Sequence, residues 1–352
     1  MKTRPTVSRN KSRRGTALLA VLWLSAALSA IAFTVARTVR AETERTSTEV
    51  DELRARYLAA GAIDRALLYI EWGPSYKNPD GTPKYFQVPT PLLRFDFPTG
   101  SAFVEIIPET AKLNVNNAPP RELAGLFLAL GVDDGRAQGM IAAIQDWRGP
   151  SPGGSFTQFD QHYLSLSPSF RARHASFQEI EELLLVQGVT PDLFYGSYTR
   201  DAEGKLVGRP GLRDCLSVYG SQGTLDANTV SPAVMQAIGI DPGAAAAIVA
   251  FRNNTVIKDP RQISSFLGGG KVGSRLGLAP SSIATLRATA RLHLANGQMS
   301  DATRTVAALI KFFGPPLEPP VHVMRWYDSG VSTPLSSPGA AAASNGAIVP
   351  IQ

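Results

Sequence analysis

One uninterrupted apolar run limits what this chain can fold into more than any other feature. The 21 residues from Thr16 to Ala36 carry no charged side chain. As a helix they would span ~30 Å, the thickness of a bilayer's hydrocarbon core. Lys2, Arg4, Arg9, Lys11, Arg13 and Arg14 precede the run with no acidic residue among them, so the positive-inside rule holds this end in the cytoplasm and sends the bulk of the chain outward. The same six cations account for the formal charge of +6, because 29 basic and 29 acidic residues follow Gly15. The basicity is a targeting device rather than a nucleic-acid surface.

The run alone leaves three fates open. Ala30-Ile31-Ala32 has the small-x-small form of a secretory cleavage site. Ser12-Arg13-Arg14 resembles a twin-arginine signal but lacks an apolar residue close behind the pair. The third fate is a retained anchor, and the following sequence favours it. In "AETERTSTEVDELRARYLAAGAIDRALLYIEW", Val50, Leu53, Tyr57, Ala60, Ile63, Leu67 and Ile70 recur at threes and fours, which predicts one apolar stripe along a helix. No proline and only Gly61 interrupt residues 16–72. The span and the amphipathic segment can therefore be one helix whose outer half packs on a folded domain.

A basic leader ending in Gly15, an apolar helix starting at Thr16, and its continuation into an exported domain together resemble the type IV pilins and type II secretion pseudopilins. The resemblance implies that a prepilin peptidase cuts between Gly15 and Thr16, that the Thr16 amine is methylated, and that the helix stays in the membrane. Most of those families carry Glu at the fifth mature position, where this chain has Ala20. That lack is typical of the K minor pseudopilins of type II secretion, which implies a subunit at the filament tip with no neighbour above it.

Beyond the helix, "RFDFPTGSAFVEIIPE" alternates as a hairpin around Pro98-Thr99-Gly100. "SIATLRATARLHLANGQMSDATRTVAALIKF" predicts a second hairpin around Ala295-Asn296-Gly297, with "VHVMRWYDSG" as one further strand. Residues 111–148 and 223–252 look like two copies of one unit: a strand-like lead, an Asn-rich turn, Pro near a helix start, a Gly-containing hairpin and a second helix. The unit resembles the helix-hairpin-helix, which grips DNA phosphate where positive charge lies near the turn. Here the turns "GVDDG" and "GIDPG" hold Asp133, Asp134 and Asp241, so a structural use is expected and nucleic acid is not.

The expected fold class is α+β: a pilin-like body with a long N-terminal helix on an antiparallel sheet, and a large all-α insertion of helix-hairpin-helix or SAM-like type. The divisions are 1–15 leader, 16–41 transmembrane, 42–110 helix and first strands, 111–280 insertion, 281–328 closing strands, and 329–352 a tail with no periodic apolar pattern, expected to be disordered. Between the two copies, "SFQEIEELLLVQGVTPDLF", Asp146-Trp147 and Tyr163 resemble the K pseudopilins, in which further aspartates follow and bind calcium. Arg148-Gly149-Pro150 and a Ser/Pro/Gly loop stand there instead, leaving Asp146 and Asp160 as calcium candidates, too few for a hard ion that wants several oxygens.

Enzyme signals are weak. "GGGKVG" at 268–273 has no βαβ frame. His162, His174, His293 and His322 are scattered, with surface or strand positions expected. Cys215 in "LRDCLSVYG" reads as a small buried residue in a strand-like run rather than a nucleophile. The resemblance implies a non-enzymatic, single-pass inner-membrane protein with its bulk in the periplasm. Its implied partners are the I and J minor pseudopilins, H as a further neighbour, the major pseudopilin G, the prepilin peptidase and the inner-membrane secretion platform. A membrane-anchored helix-hairpin-helix protein for DNA uptake is the alternative from another class, and a signal-anchored periplasmic enzyme is a third.

Overall fold

The structure is a computed structural model, and it describes residues 13–73, 75–86, 91–200, 204, 206–267, 275–279, 281–294, 296–313 and 320–328. The "GGGKVG" loop, the 329–352 tail and most of the leader lie outside these residues.

Helix α1 runs from Arg13 to Trp72 without a break, as the absence of proline permits. The chain divides into two compact units, Met1–Arg54 and Ala55–Gln352. In the second unit the end of α1 lies on a sheet. Its contact line is Ala55, Ala59, Ala62, Ile63, Ala66 and Tyr69, all buried. The expected stripe holds in its second half, where Ile63 is buried and Leu67 and Ile70 pack against the core, and fails in its first, where Val50, Leu53 and Tyr57 are exposed. Alanines form the true line because the sheet opposes them with small residues of its own, Ala102, Ala284, Ala288, Ala290 and Ala308, and two small-residue surfaces can approach closely.

Strands β1 (Leu92–Phe97) and β2 (Gly100–Pro108) form the first hairpin, with Phe97 paired to Gly100 across Pro98-Thr99. Gly100 is required by a close approach, since a Cβ there would lie 2.1 Å from the Arg291 carbonyl oxygen on the adjoining strand and 2.8 Å from Leu58. The chain then leaves the sheet for β3 (Leu113–Asn114), α2 (Pro120–Ala129), α3 (Asp134–Arg148), α4 (Gln158–Leu164) and α5 (Pro191–Tyr195). It continues through β4 (Ser197–Arg200), β5 (Leu206–Arg209), α6 (Leu212–Cys215), β6 (Leu216–Ser217) and β7 (Leu225–Asp226). The excursion closes with α7 (Pro232–Ala237), α8 (Pro242–Asn254), α9 (Arg261–Ser264) and β8 (Leu276–Gly277). It is not all-α: β3 pairs with β6 and β7 with β8 in parallel, and β4–β5 is an antiparallel hairpin.

The chain re-enters the sheet as β9 (Ile283–His293), β10 (Met299–Phe312) and β11 (Val321–Tyr327), giving the antiparallel order β1-β2-β9-β10-β11. Even-numbered residues of β9 face α1, and alternation turns Thr285 and Arg287 to the other face. There the excursion is bolted on by charge. Arg287, 5% exposed, donates to both Glu105 oxygens at 2.8 and 3.1 Å and lies 3.7 Å from Asp214. Thr285 donates to Glu109 at 2.7 Å, and Arg325 of β11 reaches Glu179 at 2.5 Å and Glu181 at 3.1 Å.

Candidate functional site

Every residue from Thr16 to Val50 is exposed, and α1 from Thr16 onward meets the length and composition for crossing a membrane. Two hydroxyls inside the apolar run are satisfied within the helix. Ser25 donates to the Leu22 carbonyl at 2.9 Å and Thr34 to that of Ala30 at 2.5 Å, so neither brings an unpaired polar group into hydrocarbon. Gly15, Thr16 and Ala20 all lie in this helix, and no acidic residue precedes Glu42 along it.

The two helical hairpins are built alike. Pro120 and Pro232 open their first helices, where a missing N–H costs nothing. Gly131 and Gly239 turn the chain at φ 78° and 90°, a region open to glycine at no steric cost. Asp133 and Asp241 then cap the second helices: Asp133 accepts the Arg136 amide at 3.0 Å, and Asp241 accepts those of Gly243 and Ala244 at 2.8 and 3.4 Å. These amides are the groups a phosphate would use. Carboxylates already hold them and repel an anion. The first helices of the two hairpins pack on each other, with Gly125 so close to Ala237 that a Cβ would lie 3.0 Å from its Cα.

The repetition runs further than the sequence showed. At the end of each second helix an arginine ties back to the Asn-rich turn: Arg148 donates to the Val115 and Ala118 carbonyls at 2.7 and 2.9 Å, and Arg252 to those of Ala227 and Val230 at 3.1 and 2.6 Å. In each turn an asparagine clamps a distant residue by both backbone groups. Asn116 holds Phe177 at 2.7 and 3.0 Å, and Asn228 holds Ile257 at 2.9 and 3.0 Å. Just beyond each clamped residue, Glu182 accepts the amides of Gln178 and Glu179 as Gln262 accepts those of Lys258 and Asp259. Each copy ends in a parallel strand pair, β3–β6 or β7–β8.

The copies differ in what separates the arginine from the clamped residue: 149–176 in the first, only 253–256 in the second. The longer segment contains α4, whose Thr157–Asp160 capping box starts the helix. Asp160 is fully buried and accepts the Thr157 amide at 3.1 Å, the Ala172 amide at 3.2 Å and His174 Nε2 at 2.8 Å. His174 Nδ1 lies 3.1 Å from the Asp146 carbonyl oxygen, and Asp146 Oδ2 accepts the Thr157 hydroxyl at 3.2 Å. The structure thus links both calcium candidates through Thr157 and His174, the imidazole meeting the Asp160 carboxylate and the Asp146 backbone carbonyl. Both Asp160 oxygens are committed, and among the described residues no three His, Cys, Asp or Glu side chains are grouped to hold a metal. Calcium does not fit this donor set.

Burial alone would raise the Asp160 carboxyl, but the hydrogen bond from His174 and the amides of Thr157 and Ala172 outweigh it and hold the group below the usual carboxylate range. Burial likewise works to lower His174, and the hydrogen bond and charge of Asp160 overcome it and raise the imidazole above its ordinary value. His174 was expected at a surface or in a strand and is in neither. His293 and His322 are in strands β9 and β11. Cys215 is buried as expected, although it ends a helical turn rather than lying in a strand, and burial pushes its thiol up to about 12. At that value it is not a nucleophile.

Residues 104–195, from within β2 to the end of α5, match the family model for type II secretion system (T2SS) protein K. Among curated proteins, the type II secretion system protein K of Klebsiella pneumoniae is 25% identical over 202 residues. That match covers 53% of this chain and 61% of the relative's own length. Among solved structures, a chain from the GspK-GspI-GspJ complex of the enterotoxigenic Escherichia coli type 2 secretion system aligns with a TM-score of 0.46 and 16% identity. It covers 81% of this chain and 99% of that one.

Proposed function

We propose that this chain, whose residues 104–195 match the family model for type II secretion system protein K, is a minor pseudopilin that starts or caps the secretion pseudopilus and catalyses nothing itself. The observation that supports this most is α1. A single helix begins at a bare apolar run and ends packed by its alanine-rich side on an antiparallel sheet, so anchor and folded head share one continuous helix. A detachable signal would have no need of that continuity.

The reading places the leader in the cytoplasm and the bulk in the periplasm, with cleavage between Gly15 and Thr16 by the prepilin peptidase and retention in the inner membrane. The I and J minor pseudopilins are its neighbours, with H and the major pseudopilin G below and the inner-membrane platform acting on the assembly. Ala20 supports a position at the tip. A carboxylate there would face lipid unless the amine of a subunit above neutralised it, at a cost of ~2.5–3.5 kcal/mol on insertion scales for a comparable Asp.

In a host lacking this gene, export of a type II substrate should stop and return on complementation. Ala20→Glu should leave export unchanged or lower it. Incorporation of the unmodified chain at many positions along the filament shaft would contradict the tip assignment. DNA uptake, the competing function, finds no support in hairpins whose amides are already capped by Asp133 and Asp241.

A further inference from the structure

We propose that His174 is itself the cation of the Asp146–Asp160 site, a built-in replacement for a metal ion that closes the extra segment of the first copy. Both ring nitrogens face acceptors, the Asp146 carbonyl oxygen at 3.1 Å and Asp160 Oδ2 at 2.8 Å. Asp160 also accepts the Thr157 and Ala172 amides, one on each oxygen, which favours its ionised, acceptor-only form. A neutral imidazole has one donor and one acceptor, so opposite that carboxylate and a carbonyl both ring nitrogens carry hydrogen. The side chain is an imidazolium paired to a fully buried carboxylate.

The backbone agrees. His174 is the one described non-glycine residue with positive φ, at 49°, a conformation that persists where the surroundings over-determine it. Backbone hydrogen bonds on either side of it supply that determination together with the two ring contacts. Ala175, next in the chain, donates to the Trp147 carbonyl at 3.1 Å, and Ala172, two residues before, donates to Asp160 at 3.2 Å. The imidazolium therefore sits at the centre of a closure that returns residues 172–175 to the end of α3.

Comparison of the two copies explains why a cation is needed only here. The second copy passes from Arg252 to Ile257 across four residues, and Asn228 and Gln262 position its exit with no further tie among the described residues. The first interposes 149–176 between the same two lock points, and the ordering entropy of so long a segment needs an additional tie. A divalent ion could provide it if enough carboxylates were present. This chain provides it with a side chain, which travels with the protein and needs no supply of metal.

The test uses the full-length chain in detergent micelles, with calcium chloride or a chelator as the only additions. Hydrogen exchange is followed at Ala172 and Ala175, and calcium binding is followed by calorimetry. Calcium and chelator should leave wild-type exchange and melting temperature unchanged, and no calcium should bind. His174→Ala should speed exchange at both amides by about ten- to a hundredfold, the loss of one charged hydrogen bond with its buried partner left unpaired, and calcium should not restore it. His174→Asp retains a residue that tolerates positive φ and adds a third carboxylate, and this variant should acquire stoichiometric calcium binding that slows exchange at the same amides. Calcium binding to wild type that protects 157–175 would overturn the proposal. So would unchanged exchange in His174→Ala, and failure of His174→Asp to take up calcium would show that the seat is not one a cation occupies.

Discussion

The two asparagine clamps allow a comparison within one molecule. Asn228 and Asn116 make the same pair of hydrogen bonds, to Ile257 and Phe177 respectively, but Asn228 is 7% exposed and Ile257 fully buried, whereas Asn116 is only half-buried. Truncation to alanine leaves one N–H and one C=O without a partner in each case. Where water cannot reach them, each costs about 1–3 kcal/mol, so Asn228→Ala should lose about 3 kcal/mol. Where water can replace the amide, the loss falls toward the net value of the bonds, and Asn116→Ala should lose about 1–1.5 kcal/mol. Amide exchange reads these quantities at the clamped residues themselves. Protection at Ile257 should fall by about a hundredfold in Asn228→Ala, and that at Phe177 by about tenfold in Asn116→Ala. Equal losses, or a larger loss at Phe177, would refute the reasoning that burial rather than bond count sets the strength of these locks.

Close packing of α1 on the sheet predicts that Ala62→Leu costs about 1–3 kcal/mol through overpacking, whereas Tyr57→Ala on the exposed face changes stability by less than about 0.5 kcal/mol; denaturant titration of the solubilised chain checks both. The His174–Asp160 pair predicts a pH window. The raised imidazole contributes fully below its unfolded value of about 6.5 and is lost as pH rises through the higher folded value. The lowered carboxyl contributes above its unfolded value of about 3.9 and is lost as pH falls through the lower folded one. Exchange protection at Ala172 should therefore be greatest between about pH 4 and 6.5, and in His174→Gln the decline above that window should disappear.

Hairpins, helices and the paired hairpin units were legible because each rests on local signals: Pro98-Thr99-Gly100, the Pro-opened helices, the Asp caps. The face of α1 was legible only from Ile63 onward. Val50, Leu53 and Tyr57 outweigh Ala55, Ala59 and Ala62 in any count of apolar residues, and the preference for alanine comes from a sheet far along the chain. The full extent of the repeat was hidden for a similar reason. Asn116 and Asn228 act on residues at different distances along the chain, Glu182 and Gln262 differ in identity, and one copy carries an extra segment. Asp146 and Asp160 drew notice as carboxylates, whereas the residue that completes their site, His174, is recognisable only once the chain has folded back.

Mass analysis of the N-terminus of protein extracted from membranes tests most directly the proposal that the apolar helix is cut and nevertheless kept. A mature chain beginning at Thr16 with a methylated amine is the predicted result. A chain beginning at Phe33, after Ala30-Ile31-Ala32, would contradict it, because the head would then have lost the element that anchors it in the pseudopilus.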